Sequence, residues 1–182
     1  MNSFFEYIDT TVNVFMTTHT SQLSVSIAMW ISIIADAKVL LAVTAVLILY
    51  SMFHKKWHDA IILACATGGT ATIVLALKDY FMRLRPDNAL QVITNDPSFP
   101  SGHASMSAAF FIALIAIYGS RIPSRELRIG FVLLSTLMIY LVGMSRLVLN
   151  VHWASDVLVG WAIGSVVALV VVWVIKKISK SI

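Results

Sequence analysis

Charge is what this chain has least of. Only 12% of its 182 residues are Asp, Glu, Lys or Arg, against 59% hydrophobic, and the mean hydropathy is +0.87. That composition excludes an ordinary soluble domain and points to an integral membrane protein. A single cysteine, Cys65, excludes an intramolecular disulfide. Set inside an apolar run, it is expected to serve as a small buried apolar side chain. No Lys or Arg precedes Lys38, so the positive region of a cleaved signal peptide is missing. Repeats, low-complexity tracts and linkers are missing too. One domain over 1–182 is therefore expected, with interfacial helices in 1–35 and a helix bundle in 38–175. The net charge of +4 would suit nucleic acid as a partner, but the placement of the cations argues for the membrane instead.

What is there is a series of long apolar runs. Five of them, at 38–53, 59–82, 104–119, 129–144 and 153–175, can cross a hydrocarbon core of roughly 30 Å with help from flanking residues. Residues 1–20 set Phe4, Phe5, Ile8, Val12, Phe15 and Met16 on one face, with Glu6, Asp9 and Asn13 elsewhere, the pattern of a helix lying on the membrane surface. The run 23–35 is short: it dips into the interface or joins residues 12–22 as a sixth span. The expected fold class is thus all-α, a polytopic membrane helix bundle of five to six spans with an N-terminal amphipathic interfacial segment.

Eight of the thirteen Lys and Arg residues follow the first, third and fifth runs: Lys55 and Lys56; Arg121, Arg125 and Arg128; Lys176, Lys177 and Lys180. Alternating spans put these on one side, the cytoplasmic side by the positive-inside rule. The other five, Lys38, Lys78, Arg83, Arg85 and Arg146, fall on the outer side, against the topological preference. A basic cluster there wants an anion. Gly68, Gly69, Gly143, Gly160 and Gly164 are read as close-packing positions between helices. The longest outer stretch, 84–100, holds Pro86, Asn88, Asn95, Asp96, Pro97 and Pro100 and reads as an ordered loop.

Three polar clusters share that outer side. Lys78 and Arg85 stand seven residues apart, two helical turns, with Pro86 expected to end the helix and Arg83 as a third cation. Ser101 is a good N-cap ahead of the third crossing run, Gly102 permits close backbone approach, and the helix start is an anion site. His103 stands where it can pass a proton to a bound anion. Last, Ser145 to Asp156 places Arg146, His152 and Asp156 between two apolar runs, where ionisable side chains are functional candidates. If the final helix starts near Trp153, Asp156 lies one turn past His152 and can hold one ring nitrogen while the other acts.

Lys78-(six residues)-Arg85-Pro86, Pro100-Ser101-Gly102-His103 and Ser145-Arg146-(five residues)-His152-(three residues)-Asp156 closely resemble the three-part signature of the type 2 phosphatidic acid phosphatase superfamily. Asn150 and Ala154 stand where that family often has Gly and Pro. The resemblance implies a lipid phosphatase that forms a phosphohistidine on His152. Asp156 would orient His152, and His103 would protonate the leaving oxygen and later act as base. Lys78, Arg85, Arg146, Ser101 and the Gly102 backbone would bind the phosphoryl oxygens. No metal or other cofactor is expected, since the three cations can do what Mg²⁺ does elsewhere. The expected partners are the bilayer and a lipid phosphate, with no nucleic acid. The expected location is a bacterial inner membrane with the site facing outward. Family frequency favours undecaprenyl diphosphate, ahead of phosphatidylglycerol phosphate, phosphatidic acid or lipid A. A lipid phosphotransferase with the same intermediate is the alternative. A channel or transporter would place charges near the midplane instead.

Overall fold

The computed structural model describes residues 3–90 and 96–179. Among them are seven α-helices: α1 (Ser3–His19), α2 (Gln22–Ile34), α3 (Ala37–Phe53), α4 (Trp57–Phe81), α5 (Gly102–Tyr118), α6 (Arg125–Val148) and α7 (Ala154–Ser179). A 3-10 turn, Gly119–Arg121, follows α5, and no strand occurs among the described residues. Side-chain caps start several of these helices: Ser21 and Ser24 form a capping box on α2, Asp36 caps α3, Ser101 caps α5 and Ser124 caps α6. Asn95 and Lys180 of the sequence reading lie outside the described residues.

Five helical stretches are long and apolar enough to cross a membrane: Gln22–Phe53, Trp57–Phe81, Gly102–Arg121, Arg125–Val148 and Ala154–Ser179. The first is broken at Ala35–Asp36 into α2 and α3. With 13 residues, α2 is about 20 Å long, too short to cross alone. Its Val25, Ala28 and Met29 pack on Val148, Leu149 and Val151, just beyond the end of α6. On α1, Val12 and Met16 pack beside Ala104, Leu147 and Val157 at that same end. Both N-terminal helices therefore sit at one end of the bundle, and five to six spans resolve to five.

α5 is the axis of the bundle, with Ala104, Ala108, Ala109 and Ala113 fully buried. α7 packs on it through glycine. A Cβ on Gly164 would lie 2.1 Å from the Ser105 carbonyl oxygen, and one on Gly160 would lie 2.8 Å from that of Ser101. Gly143 of α6 accommodates the Trp161 ring in the same way, at 2.1 Å. Where lipid tails are as apolar as leucine, such close approach is how helices gain contact energy. Gly68 and Gly69 do not serve this purpose: the first has nothing within 4 Å and the second only an ordinary contact at 3.6 Å. Cys65 also departs from expectation, for it is exposed on the surface of α4 rather than buried. In a membrane protein an apolar run tells nothing about which face meets lipid.

At the end opposite the N-terminal helices, Asp59 receives both Arg121 guanidinium nitrogens at 2.7 and 2.8 Å. His58 and Lys176 border the same small cleft. The starts and ends of α4, α5 and α7 thus meet there, as alternating spans require.

Candidate active site

The turn between α6 and α7 is built on Asn150, which takes φ 52°. Asn accepts this left-handed conformation better than other side chains with a Cβ, so it can stand in for glycine. Beyond it, α7 begins at Ala154 and puts Asp156 in its first turn. Asp156 Oδ2 accepts the Trp153 N–H at 3.0 Å and lies 3.4 Å from His152 Nδ1. Asp156 is fully buried and His152 nearly so. A carboxylate facing Nδ1 fixes the proton there and leaves Nε2 as the free lone pair, and Nε2 is the nitrogen that faces Arg85 Nη1 at 3.2 Å.

Lys78 and Arg85 do converge, but not as expected. α4 ends at Phe81, where Met82 takes φ 45° and its N–H closes on the Lys78 carbonyl. Neither a two-turn helical register nor Pro86 is responsible. Lys78 stays on the helix while Arg85 reaches back from the loop, and both meet the Asp96 carboxylate, at 2.9 and 3.1 Å. Lys78 also donates to the Pro97 carbonyl, and Arg85 to the carbonyls of Val151 and Asp96. Both cations are thus paired with one aspartate of the same chain.

His103, Gly102 and Arg146 line the same cavity as His152, Lys78 and Arg85. Its volume is about 560 Å³. His103 Nε2 lies 3.4 Å from Asp36 Oδ2, an ion-pair distance without the alignment of a hydrogen bond. Arg146, buried, donates to Ser32 Oγ of α2. Ser101 is placed differently from the others. Wholly buried, it caps α5 and ties its N–H to the Asp156 carbonyl at 3.1 Å, so it braces the cavity rather than lining it. The rest of its lining includes the apolar Leu41, Ala71, Val74, Leu75 and Met106, from α3, α4 and α5, with Asp36 and Lys38 at the start of α3. Leu41 and Leu75 are exposed on the outer surface of the bundle. The same cavity therefore combines a charged lining with apolar side chains that reach the surface of the bundle.

Arg83 does not line this cavity. Its Nη1 donates to Asp156 Oδ1 at 2.6 Å and its Nη2 to Asp9 Oδ2 at 2.6 Å, and the guanidinium lies 5.4 Å from the Trp153 ring centre. Asp9, grouped in the sequence with the solvated side of α1, is buried. The apolar Phe4, Phe5, Val14 and Phe15 point outward instead. The amphipathic pattern located the helix, but its apolar face is split: Val12 and Met16 pack inward beside Asp9 while the phenylalanines face out. Asp36, which carries no motif signal in the sequence, also lines the cavity and faces His103. Among the described residues, no group of three or more His, Cys, Asp or Glu is arranged to hold a metal ion.

One cavity at one end of a five-span bundle thus gathers two histidines and four cations, Lys38, Lys78, Arg85 and Arg146. The chain belongs to the PAP2 superfamily, whose model matches residues 59–180. It is 32% identical over 131 residues to phosphatidylglycerophosphatase B of Bacillus subtilis, covering 70% of this chain and 64% of that protein. To lipid A 1-phosphatase of Porphyromonas gingivalis it is 38% identical over 130 residues, 69% of this chain and 26% of the relative. To undecaprenyl-diphosphatase of Sulfolobus acidocaldarius it is 28% identical over 146 residues, 76% of this chain and 66% of the relative. Each match thus spans less than two thirds of the relative's own length. In three dimensions it resembles the transmembrane PAP2-type phosphatidylglycerolphosphate phosphatase of B. subtilis, with a TM-score of 0.84 at 22% identity, covering 100% of this chain and 89% of that one. LpxE of Aquifex aeolicus gives 0.71 at 21% identity, covering 90% and 93%.

Burial drives the His152 imidazole down from 6.5 to about 4; the nearby Arg85 and Arg146 act in the same direction, and Asp156 opposes them. The folded ring is therefore neutral at pH 7, as a nucleophile or base must be. An unfolded chain would protonate this ring near 6.5, so the unfolded state binds more protons between that pH and 4. His152 thus removes stability as pH falls through this window and none above it. Melting in detergent between pH 7 and pH 5 should show a shallower fall for His152→Gln than for the wild type. An identical slope would mean that the ring already carries charge when folded.

Proposed function

We propose that this protein is a membrane lipid phosphatase that passes the phosphoryl group of its substrate to His152 and then to water. The supporting observation is the cavity lined by His152, His103, Lys78, Arg85 and Arg146 together with apolar side chains of α3, α4 and α5. In this reading the substrate phosphate displaces the Asp96 carboxylate and takes over Lys78 and Arg85. Arg146 and the first backbone N–H groups of α5 bind further oxygens. Arg85 lets go of His152 Nε2 as it turns to the phosphate. The Nε2 lone pair attacks phosphorus, the bond to the lipid oxygen breaks, and His103 supplies the proton that oxygen takes. Asp156 stabilises the positive charge left on the ring. Water then attacks phosphorus, losing a proton to His103, and the phosphorus–nitrogen bond breaks to release phosphate and restore His152. The chain's own cations offset the charge spread over the equatorial oxygens.

A lipid phosphate is favoured because two of those apolar side chains, Leu41 and Leu75, are exposed on the outer surface of the bundle. Lys38 lines the same cavity, adding a cation beyond the three at the phosphate seat. That fits a substrate with a second phosphate, so undecaprenyl diphosphate comes first and phosphatidylglycerol phosphate next, ahead of phosphatidic acid. Eight of the thirteen Lys and Arg residues belong to the segments read as cytoplasmic, and those the structure describes lie away from the site. The positive-inside rule then turns the site outward from a bacterial inner membrane.

Detergent-purified protein should release phosphate from one of these lipids in EDTA. His152→Ala should lose at least about a thousandfold in rate, and Asp156→Asn roughly 10²- to 10⁴-fold, as for other carboxylate-oriented histidines. Undiminished turnover by His152→Ala would end the mechanism, and a phosphorylated lipid or sugar in place of free phosphate would make the protein a phosphotransferase. A second expectation concerns Asp96, which competes for the anion seat. Inorganic phosphate should inhibit Asp96→Asn more tightly than wild type, by about 1.5- to 5-fold, the range for a partly exposed ion pair. An unchanged inhibition constant would place the phosphate elsewhere.

A further inference from the structure

Asp9 stands outside the three clusters that suggest phosphate chemistry, and Arg83 does not line the cavity they form, yet the two share a closed set of short hydrogen bonds. Asp9 Oδ1 accepts the Ser155 N–H at 2.8 Å, and Oδ2 accepts Ser155 Oγ at 2.7 Å and Arg83 Nη2 at 2.6 Å. Arg83 Nη1 closes the ring on Ser155 Oγ at 2.7 Å and Asp156 Oδ1 at 2.6 Å. From there Asp156 Oδ2 leads to His152 Nδ1. The line Asp9–Arg83–Asp156–His152 joins α1, the loop after α4, and the start of α7.

We infer that Arg83 and Asp9 are positioning residues for the phosphoryl transfer, holding Asp156 in the orientation and charge state that His152 needs. The inference rests on the phosphohistidine reading above. A carboxylate with no exposure to water keeps its charge only against a neighbouring cation. Arg83 is that cation, at bonding distance from the oxygen turned away from His152. With Oδ1 so tied and Oδ2 bonded to the Trp153 N–H, the carboxylate cannot rotate off the ring. A lone guanidinium would also drain the pull of Asp156 on the His152 proton. Asp9 offsets this by claiming the other guanidinium nitrogen, so that the three side chains together carry one negative charge. The N-terminal helix is in this way a part of the site and not only a membrane-surface anchor. Neither side chain lines the cavity, so neither touches the phosphate.

The test is steady-state hydrolysis of the lipid that wild type cleaves, by Arg83→Gln and Asp9→Asn, each alone and combined with Asp156→Asn. Asp9→Asn keeps the shape and the Oδ1 acceptor for the Ser155 N–H, so it carries the test where Arg83→Gln does not yield monodisperse protein. Alone, each substitution is expected to lower kcat by about tenfold or more, the scale set by outer-shell hydrogen-bond partners, with KM within about twofold. In the Asp156→Asn background the same substitution should cost less than about twofold, because the carboxylate it acts through has lost its charge. Losses of equal size in both backgrounds would overturn the inference, as would a loss confined to KM, which would put Arg83 on the phosphate. Wild-type protein that cleaves no lipid would instead sink the parent reading.

Discussion

The carboxylate of Asp156 lies at the end of the bundle with no access to water. Left alone there, a charge of that size costs several kcal/mol, so the surrounding chain is obliged to answer it. Three groups do: the Arg83 guanidinium, the Trp153 N–H and the His152 ring; beside them the Ser101 N–H holds the Asp156 backbone carbonyl. These belong to the loop after α4, the turn before α7 and the start of α5. Segments distant in sequence are thus drawn to one point, and the cavity is the space left in front of them. The close glycine contacts of α7 on α5 serve the same point, because they let the start of α7 sit against the cap of α5.

The rest of the chemistry follows from having lipid on one side. Polar groups cannot be scattered through the spans at low cost, so they collect at the two ends. At one end Asp59 and Arg121 pair across α4 and the turn after α5. At the other end the cations outnumber what structure requires, and Asp96 folds over two of them. Apolar side chains of α3, α4 and α5 line the same cavity as this charged pocket.

Much of this was legible in the sequence, and the reasons differ by element. The spans were legible because length and apolarity are what a bilayer selects, and each predicted run agrees with a helix to within a few residues. His152, Asp156, His103, Lys78, Arg85 and Arg146 were legible because ionisable side chains at span ends are costly and came in a recognisable order. What failed is the direction of faces. Asp9 was taken for a solvated residue and Cys65 for a buried one, since the rule that apolar means inside has no force where the surroundings are apolar. Arg83 reads in the sequence only as a third cation beside Lys78 and Arg85, because spacing alone cannot show that two carboxylates hold it. The turn at Met82 likewise left no signal, as a left-handed methionine is a local sacrifice to the tertiary contacts around it.

The most direct test of the central claim is a rapid-quench search for the phosphorylated protein. Wild type is mixed with a lipid carrying labelled terminal phosphate and stopped in alkali within the first turnover. The account predicts an acid-labile, alkali-stable label on the peptide containing His152, and none in His152→Ala. Label on any other residue, or full hydrolysis with no labelled protein at any time point, would contradict it.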